Sequence, residues 1–146
     1  MRNNAQTITS ANSILLARVK GVFDNWVKIE GFAADDAFTS GQGGMAETQI
    51  GVDGLQSAGW TPYETPFDIA LQANSASRSF FKAVVNAQDK AQEVLRFEFS
   101  IELPSVKERY MLSGYLTESA SAQSAKKVLQ PLKYSFKTIV ETREDI

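Results

Sequence analysis

Apolar and polar residues alternate strictly along residues 93–103, where Leu95, Phe97, Phe99, Ile101 and Leu103 are separated by Arg96, Glu98, Ser100 and Glu102. A period of two marks a strand with one buried face. At about 3.3 Å per residue the segment would run roughly 36 Å, longer than the usual globular strand. Pro104 and Ser105 close it, and a second strand over residues 109–117 follows at hairpin distance. A third, over residues 129–141, sets Leu132, Tyr134, Phe136, Thr138 and Val140 on one face and Lys133, Ser135 and Lys137 on the other. Weaker versions of the pattern fill the first half. Residues 13–20 and 23–31 read as an opening strand pair around Gly21, with Phe23, Val27 and Ile29 opposed to Trp26, Lys28 and Glu30. Residues 45–52 form a fainter strand. Residues 65–73 alternate Phe67, Ile69, Leu71 and Ala73 with Asp68, Ala70 and Gln72, starting near Pro66, which suits a strand beginning.

One stretch changes period. Between residues 76 and 88, Phe80, Phe81, Val84, Val85 and Ala87 recur at helical spacing after Asn74 and Ser75, two good N-cap residues. The spacing predicts an amphipathic helix of about three turns that leaves Arg78, Lys82, Asn86 and Asp89 to solvent and pins itself across a sheet through its paired phenylalanines. Three longer connections are predicted as loops: residues 32–44 (FAADDAFTSGQGG), residues 51–64 (GVDGLQSAGWTPYE) and residues 118–127 (ESASAQSAKK). Loops of this length inside a compact domain are commonly functional. The sum is a mainly β fold in a single domain over residues 1–146: two packed antiparallel sheets, sandwich or barrel-like, flanked by one short helix.

Composition narrows the chemistry. With 146 residues, 43% apolar and 22% charged, the chain can bury one sizeable core. It has no cysteine and no histidine, so disulfides, thiolate nucleophiles, Cys/His zinc sites and histidine-based catalysis are excluded. A formal net charge of −2 offers no basic surplus for holding duplex DNA. No run of residues approaches a membrane span, and the N-terminus lacks the apolar middle of a signal peptide, so synthesis in a cytoplasm is expected.

The remaining motifs are weak. Ser79 and Lys82, like Ser124 and Lys127, have the Ser-x-x-Lys spacing of a lysine-activated serine, but the companion signatures of those enzymes are missing. Asp35 and Asp36, with Glu47 or Asp53, supply oxygen ligands without a calcium-loop pattern, and a solvated acidic loop accounts for them better. Glu98 and Glu102 share a strand face at roughly 13 Å, too far apart for a glycosidase pair. Gly41, Gly43 and Gly44 lack the Gly-Lys-Ser/Thr that completes a phosphate loop. Trp60 and Tyr63 are candidate interface anchors, or else fold back on their own core. No cofactor or metal is expected.

The order of elements, together with residues 64–74 (ETPFDIALQAN) leading into the helix and residues 129–136 (LQPLKYSF) leading into the last strand, resembles the tail tube proteins of bacteriophages over about residues 19–141. The resemblance implies a structural virion protein whose hexameric rings stack into a tail tube that delivers DNA without binding it specifically. Its partners would be copies of itself and sheath or other tail proteins, with no membrane contact. Between Glu30 and Glu64 there are acidic residues and no basic one, which suits a lumen that must not hold phosphates. Candidate lumen residues are Glu30, Glu47 and Gln49, with Glu98 and Glu102 as a second set. The candidate ring-stacking loop is residues 32–44, with Phe32, Asp35, Asp36, Phe38, Gly41, Gly43 and Gly44. Three other readings compete: the tube of a contractile injection or type VI-like secretion system, a small β-barrel with a ligand among Phe97, Phe99, Tyr110, Tyr134 and Phe136, and a carboxylate-based hydrolase.

Overall fold

The structure, a computed structural model, describes residues 13–32, 38–120 and 122–146. Among the described residues, nine strands and one helix follow one another as β1 (Ile14–Val19), β2 (Phe23–Lys28), β3 (Phe38–Ser40), β4 (Ala46–Ile50), β5 (Gln56–Trp60), β6 (Thr65–Leu71), α1 (Arg78–Ala91), β7 (Arg96–Leu103), β8 (Glu108–Ser119) and β9 (Leu132–Asp145). The chain is mainly β with two antiparallel sheets and one helix, the fold class that the alternation predicts. The sheets are unequal. One has seven strands in the order β2-β1-β7-β8-β9-β6-β3, and the other is the β4–β5 hairpin.

The large sheet supplies both walls of its own core. In its strand order β6 lies three steps from β7. At about 4.8 Å per step, a flat sheet would hold these strands roughly 14 Å apart. Yet the rings of Phe67 on β6 and Phe99 on β7 are 5.2 Å apart. The sheet must therefore curl until its two halves face each other. Two bulges between β8 and β9, at Met111/Leu112 and Leu116/Glu118, bend the long strands where the curl requires it. Gly114 sits on the same pair, and a Cβ there would lie 2.1 Å from the carbonyl oxygen of Lys137, so only glycine permits the approach. Inside the curl, Phe67, Phe97, Phe99 and Phe136 are fully buried and meet at tilted, stacked and edge-on angles.

α1 closes one end of this curl. Phe81 stacks on Tyr134 with centroids 4.4 Å apart and also faces Phe97 and Phe136, while Phe80 meets Phe23 at 4.7 Å. The pinning role of the paired phenylalanines is thus observed. The helix start differs from expectation. Its N-cap is Ser77, without a side-chain cap bond, rather than Asn74 or Ser75. Both serines instead hold the backbone of Glu30: the Ser75 hydroxyl donates to its carbonyl at 2.5 Å, and the Ser77 hydroxyl accepts its N–H at 2.7 Å. Gly31 makes this contact feasible, with φ +72° and a would-be Cβ 2.6 Å from Ser75.

Other boundaries shift for local reasons. β7 begins at Arg96 and not near Glu93, because the helix exits through Gln92 in the left-handed region and the side chain of Gln88 accepts the Leu95 N–H. Residues 38–40, expected as loop, pair with β6, and residues 56–60, also expected as loop, pair with β4.

Truncating the ring that joins helix and sheet, Phe81→Ala, should cost about 3–5 kcal/mol in urea denaturation, as for other buried aromatics. Burial, opposed by the charge of Arg78, holds the Tyr134 phenol above its ordinary value. A raised folded value means that this residue's contribution is complete below about pH 10 and lost as pH rises through the folded pKa. Tyr134→Phe should therefore leave stability at about pH 8 little changed and reduce its loss by about pH 11, measured by denaturation at both.

Candidate assembly surface

Every residue of β4 and β5 is exposed, on both faces of the pair. A lone two-stranded hairpin is marginal in water, so its local sequence has to hold it. The tip is a tight turn: Gly54 takes φ +83° and donates to the Gly51 carbonyl at 2.9 Å, and the Asp53 carboxylate accepts the Leu55 N–H at 3.1 Å. At the root, Thr61 donates its N–H to the Met45 carbonyl and its hydroxyl to the Gly44 carbonyl, each at 3.1 Å. Registered pairs share a face. The pairs Glu47↔Gly59 and Gln49↔Ser57 make one face polar, whereas Ala46↔Trp60, Thr48↔Ala58 and Ile50↔Gln56 carry Ile50 and Trp60 on the other. Ile50 (75%), Val52 (113%), Leu55 (72%) and Trp60 (72%) stand in solvent, more apolar surface than a free hairpin has reason to carry.

Beside the hairpin root, the curled sheet is open. A cavity of about 360 Å³ lies at the end remote from α1, lined by Ile101, Leu103, Leu112 and Val140 of the sheet, by Phe38, Met45 and Tyr63 of the flanking segments, and by Arg143. Along β7 the order is direct: Phe97 meets the helix, Phe99 fills the centre, and Ile101 and Leu103 face the cavity. Tyr63 lies so close to Gly43 that a Cβ there would be 2.2 Å from its ring, and its hydroxyl accepts from Arg143 at 2.8 Å. Tyr110, at the same mouth, donates to Glu108 at 2.5 Å, and that bond, helped by burial, raises its pKa.

The predicted residues fall into distinct places. Glu47 and Gln49 share the polar face of the hairpin. Glu30 is at the end of β2's segment, 3.7 Å from Lys28. Glu98 and Glu102 lie on the convex face of the large sheet, where Glu98 is bound by Arg18 and Glu102 by Arg109 at 3.2 Å. The candidate lumen residues thus lie on three elements: the hairpin, the segment after β2 and the convex face of the large sheet.

Of the stacking-loop residues, Asp35 and Asp36 lie outside the described residues. Phe32 and Phe38 pack on each other at 5.7 Å, Phe32 bridges Leu71, and Gly41 donates to the Pro66 carbonyl at 2.7 Å. Gly43 supports Tyr63, and Gly44 opens the hairpin root. Trp60 and Tyr63 separate: Trp60 is presented outward and Tyr63 folds back on its own chain. Ser79 donates to the Ala76 carbonyl at 3.0 Å, as an ordinary helix-start serine. Phe97, Phe99 and Phe136 form solid core, so of the aromatics considered for a ligand cavity only Tyr110 lines this one.

A family model described as tail fiber protein gp32 matches residues 6–139. The chain belongs to the tail fiber protein gp32 family. It is a structural protein of the phage tail and a component of the virion. No curated protein matches it.

For this gp32-family chain, the residues that sequence reasoning passed over are Ile50, Val52 and Leu55. The signal was present as Asp53-Gly54, a hairpin dipeptide placed just after a candidate strand. It went unread because β5, Gln-Ser-Ala-Gly-Trp, has neither alternation nor β-branched residues.

Proposed function

We propose that this tail protein is a non-catalytic, self-assembling subunit whose hexameric rings stack into the tube through which phage DNA is delivered. The observation that carries the proposal is the β4–β5 hairpin, which is exposed on both faces and gathers four large, exposed apolar side chains, Ile50, Val52, Leu55 and Trp60, on one short projection. Such a hairpin gains stability when a neighbouring copy covers its Ile50–Trp60 face. Its other face, with Glu47 and Gln49, is then left to water, and no Lys or Arg lies between residues 30 and 64 to hold passing phosphates. Phe32, Phe38 and Gly41 are already committed to the chain's own sheet, which makes the hairpin, more than the 32–44 segment, the ring-to-ring contact.

The apolar cavity favours a second reading, a small ligand-binding barrel, because pockets of a few hundred Å³ with one charged lining group often hold small molecules.

Negative-stain microscopy of the concentrated protein should show six-fold rings or hollow tubes. A variant with residues 46–60 replaced by a short Gly/Ser turn should keep its circular dichroism melting transition and remain monomeric. A wild-type chain that stays monomeric at every concentration, or a hairpin-less variant that builds the same tubes, contradicts the proposal.

A further inference from the structure

We infer that the tip of the β4–β5 hairpin of one copy enters the apolar cavity of a neighbouring copy, so that assembly runs head to tail. This rests on the self-assembly reading above and names the two surfaces that meet.

The tip is built as a projection. Ile50, Val52 and Leu55 surround a turn held by the Gly51–Gly54 and Asp53–Leu55 bonds, and Val52, at 113% exposure, touches nothing of its own chain. The cavity is built as a receptor. Ile101, Leu103, Leu112 and Val140 give it an aliphatic lining, and the core aromatics form no part of it.

Reach decides which tip can fill it. Met45, at the hairpin root, lines the cavity, while Ile50 stands four residues beyond Ala46 on an extended strand. At about 3.4 Å per residue the strand carries Ile50 roughly 14 Å beyond Ala46, and no residue of 46–60 lines the chain's own cavity. The chain's own tip leaves the cavity unfilled, and another copy's tip is free to enter it.

Charge favours the same pairing. The hairpin carries Glu47 and Asp53 and no cation. The cavity is lined by Arg143, which donates to the Tyr63 hydroxyl and makes no ion pair among the described residues. Projection and receptor are different patches of one surface. A contact between unlike patches is heterologous, and it either closes into a ring or propagates as a filament. As the ring-to-ring contact it propagates, which is what stacks rings into a tube.

The chain contains no cysteine, so single reporters can be introduced without background. Three proteins are prepared separately: Val52→Cys at the tip, Leu103→Cys in the cavity, and Lys82→Cys on the exposed side of α1, at the far end of the curl. Assembled mixtures are treated with a short bismaleimide and resolved by denaturing electrophoresis. The Val52/Leu103 mixture should give cross-linked dimers, and the Val52/Lys82 mixture should not. Because Val52 makes no contact in the free chain, Val52→Lys, which sets a cation against Arg143, should leave the melting temperature unchanged and raise the concentration at which polymer appears by about tenfold or more, the equivalent of about 1.4 kcal/mol of contact.

Rings or tubes that form without the Val52–Leu103 cross-link, or an assembly threshold unmoved by Val52→Lys, overturn the docking site and leave the self-assembly reading standing. Native mass spectrometry of assembled protein showing a small apolar molecule retained in the cavity overturns it equally. If no polymer forms from any of the proteins, wild type included, the self-assembly reading itself is overturned and the docking site with it.

Discussion

The contact between Phe67 and Phe99, on strands three steps apart in one sheet, is the constraint on which the rest of the structure depends. It requires the seven-stranded sheet to curl, and the curl in turn accounts for the bulges between β8 and β9, the glycine at position 114 and the unusual length of both strands. A sheet that folds over on itself needs no second large sheet to cover its apolar face, which is why the remaining strands, β4 and β5, are free to project. The curl also has two ends, and the chain treats them differently. One is stoppered by Phe80, Phe81 and Val84 of α1; the other is left with an apolar cavity. Polarity of this kind gives a subunit a front and a back.

The parts of the fold legible in the sequence are those where one face is buried and the other is wet. β7 alternates because Phe97, Phe99 and Ile101 point into the curl while Arg96, Glu98 and Glu102 point out, and β9 alternates for the same reason through Tyr134, Phe136 and Thr138. α1 was legible because Phe80, Phe81 and Val84 all face one sheet. Elements that bury nothing leave no such imprint. β5 is exposed on both sides, so Gln56, Ser57, Ala58 and Gly59 read as loop. β3 is three residues long and is made a strand by β6, not by its own preference. The helix cap was misplaced because Ser75 and Ser77 were drawn to Glu30, forty-odd residues away in the chain, a partner that local pattern cannot reveal.

The same division runs through the candidate surface. Glu47 and Gln49 could be named from the acidic bias of the segment, and they do share one face of the hairpin. Glu98 and Glu102 have the same alternation but are neutralised by Arg18 and Arg109, cations from other strands. Surface ion pairs of this kind contribute about 0–1 kcal/mol each and serve to keep the convex face of the sheet soluble more than to hold the fold. Trp60 and Tyr63, alike in sequence, diverge because Gly43 and Arg143 capture the tyrosine and nothing captures the tryptophan. An assembly surface is defined by what the chain leaves uncovered, and that is visible only after the core has been closed.

Membership of the tail fiber protein gp32 family places the chain in the phage tail, and the role proposed for it there falls to a hairpin that is finished only by a neighbour. Amide hydrogen exchange of the free and assembled protein tests that role most directly. In the free chain the amides of residues 46–60 should exchange among the fastest of any paired strand, since both faces are wet. On assembly they should slow by about tenfold or more, while β7 and β9 remain as protected as before. Equal exchange of the hairpin in free and assembled protein, with protection gained elsewhere, would contradict it.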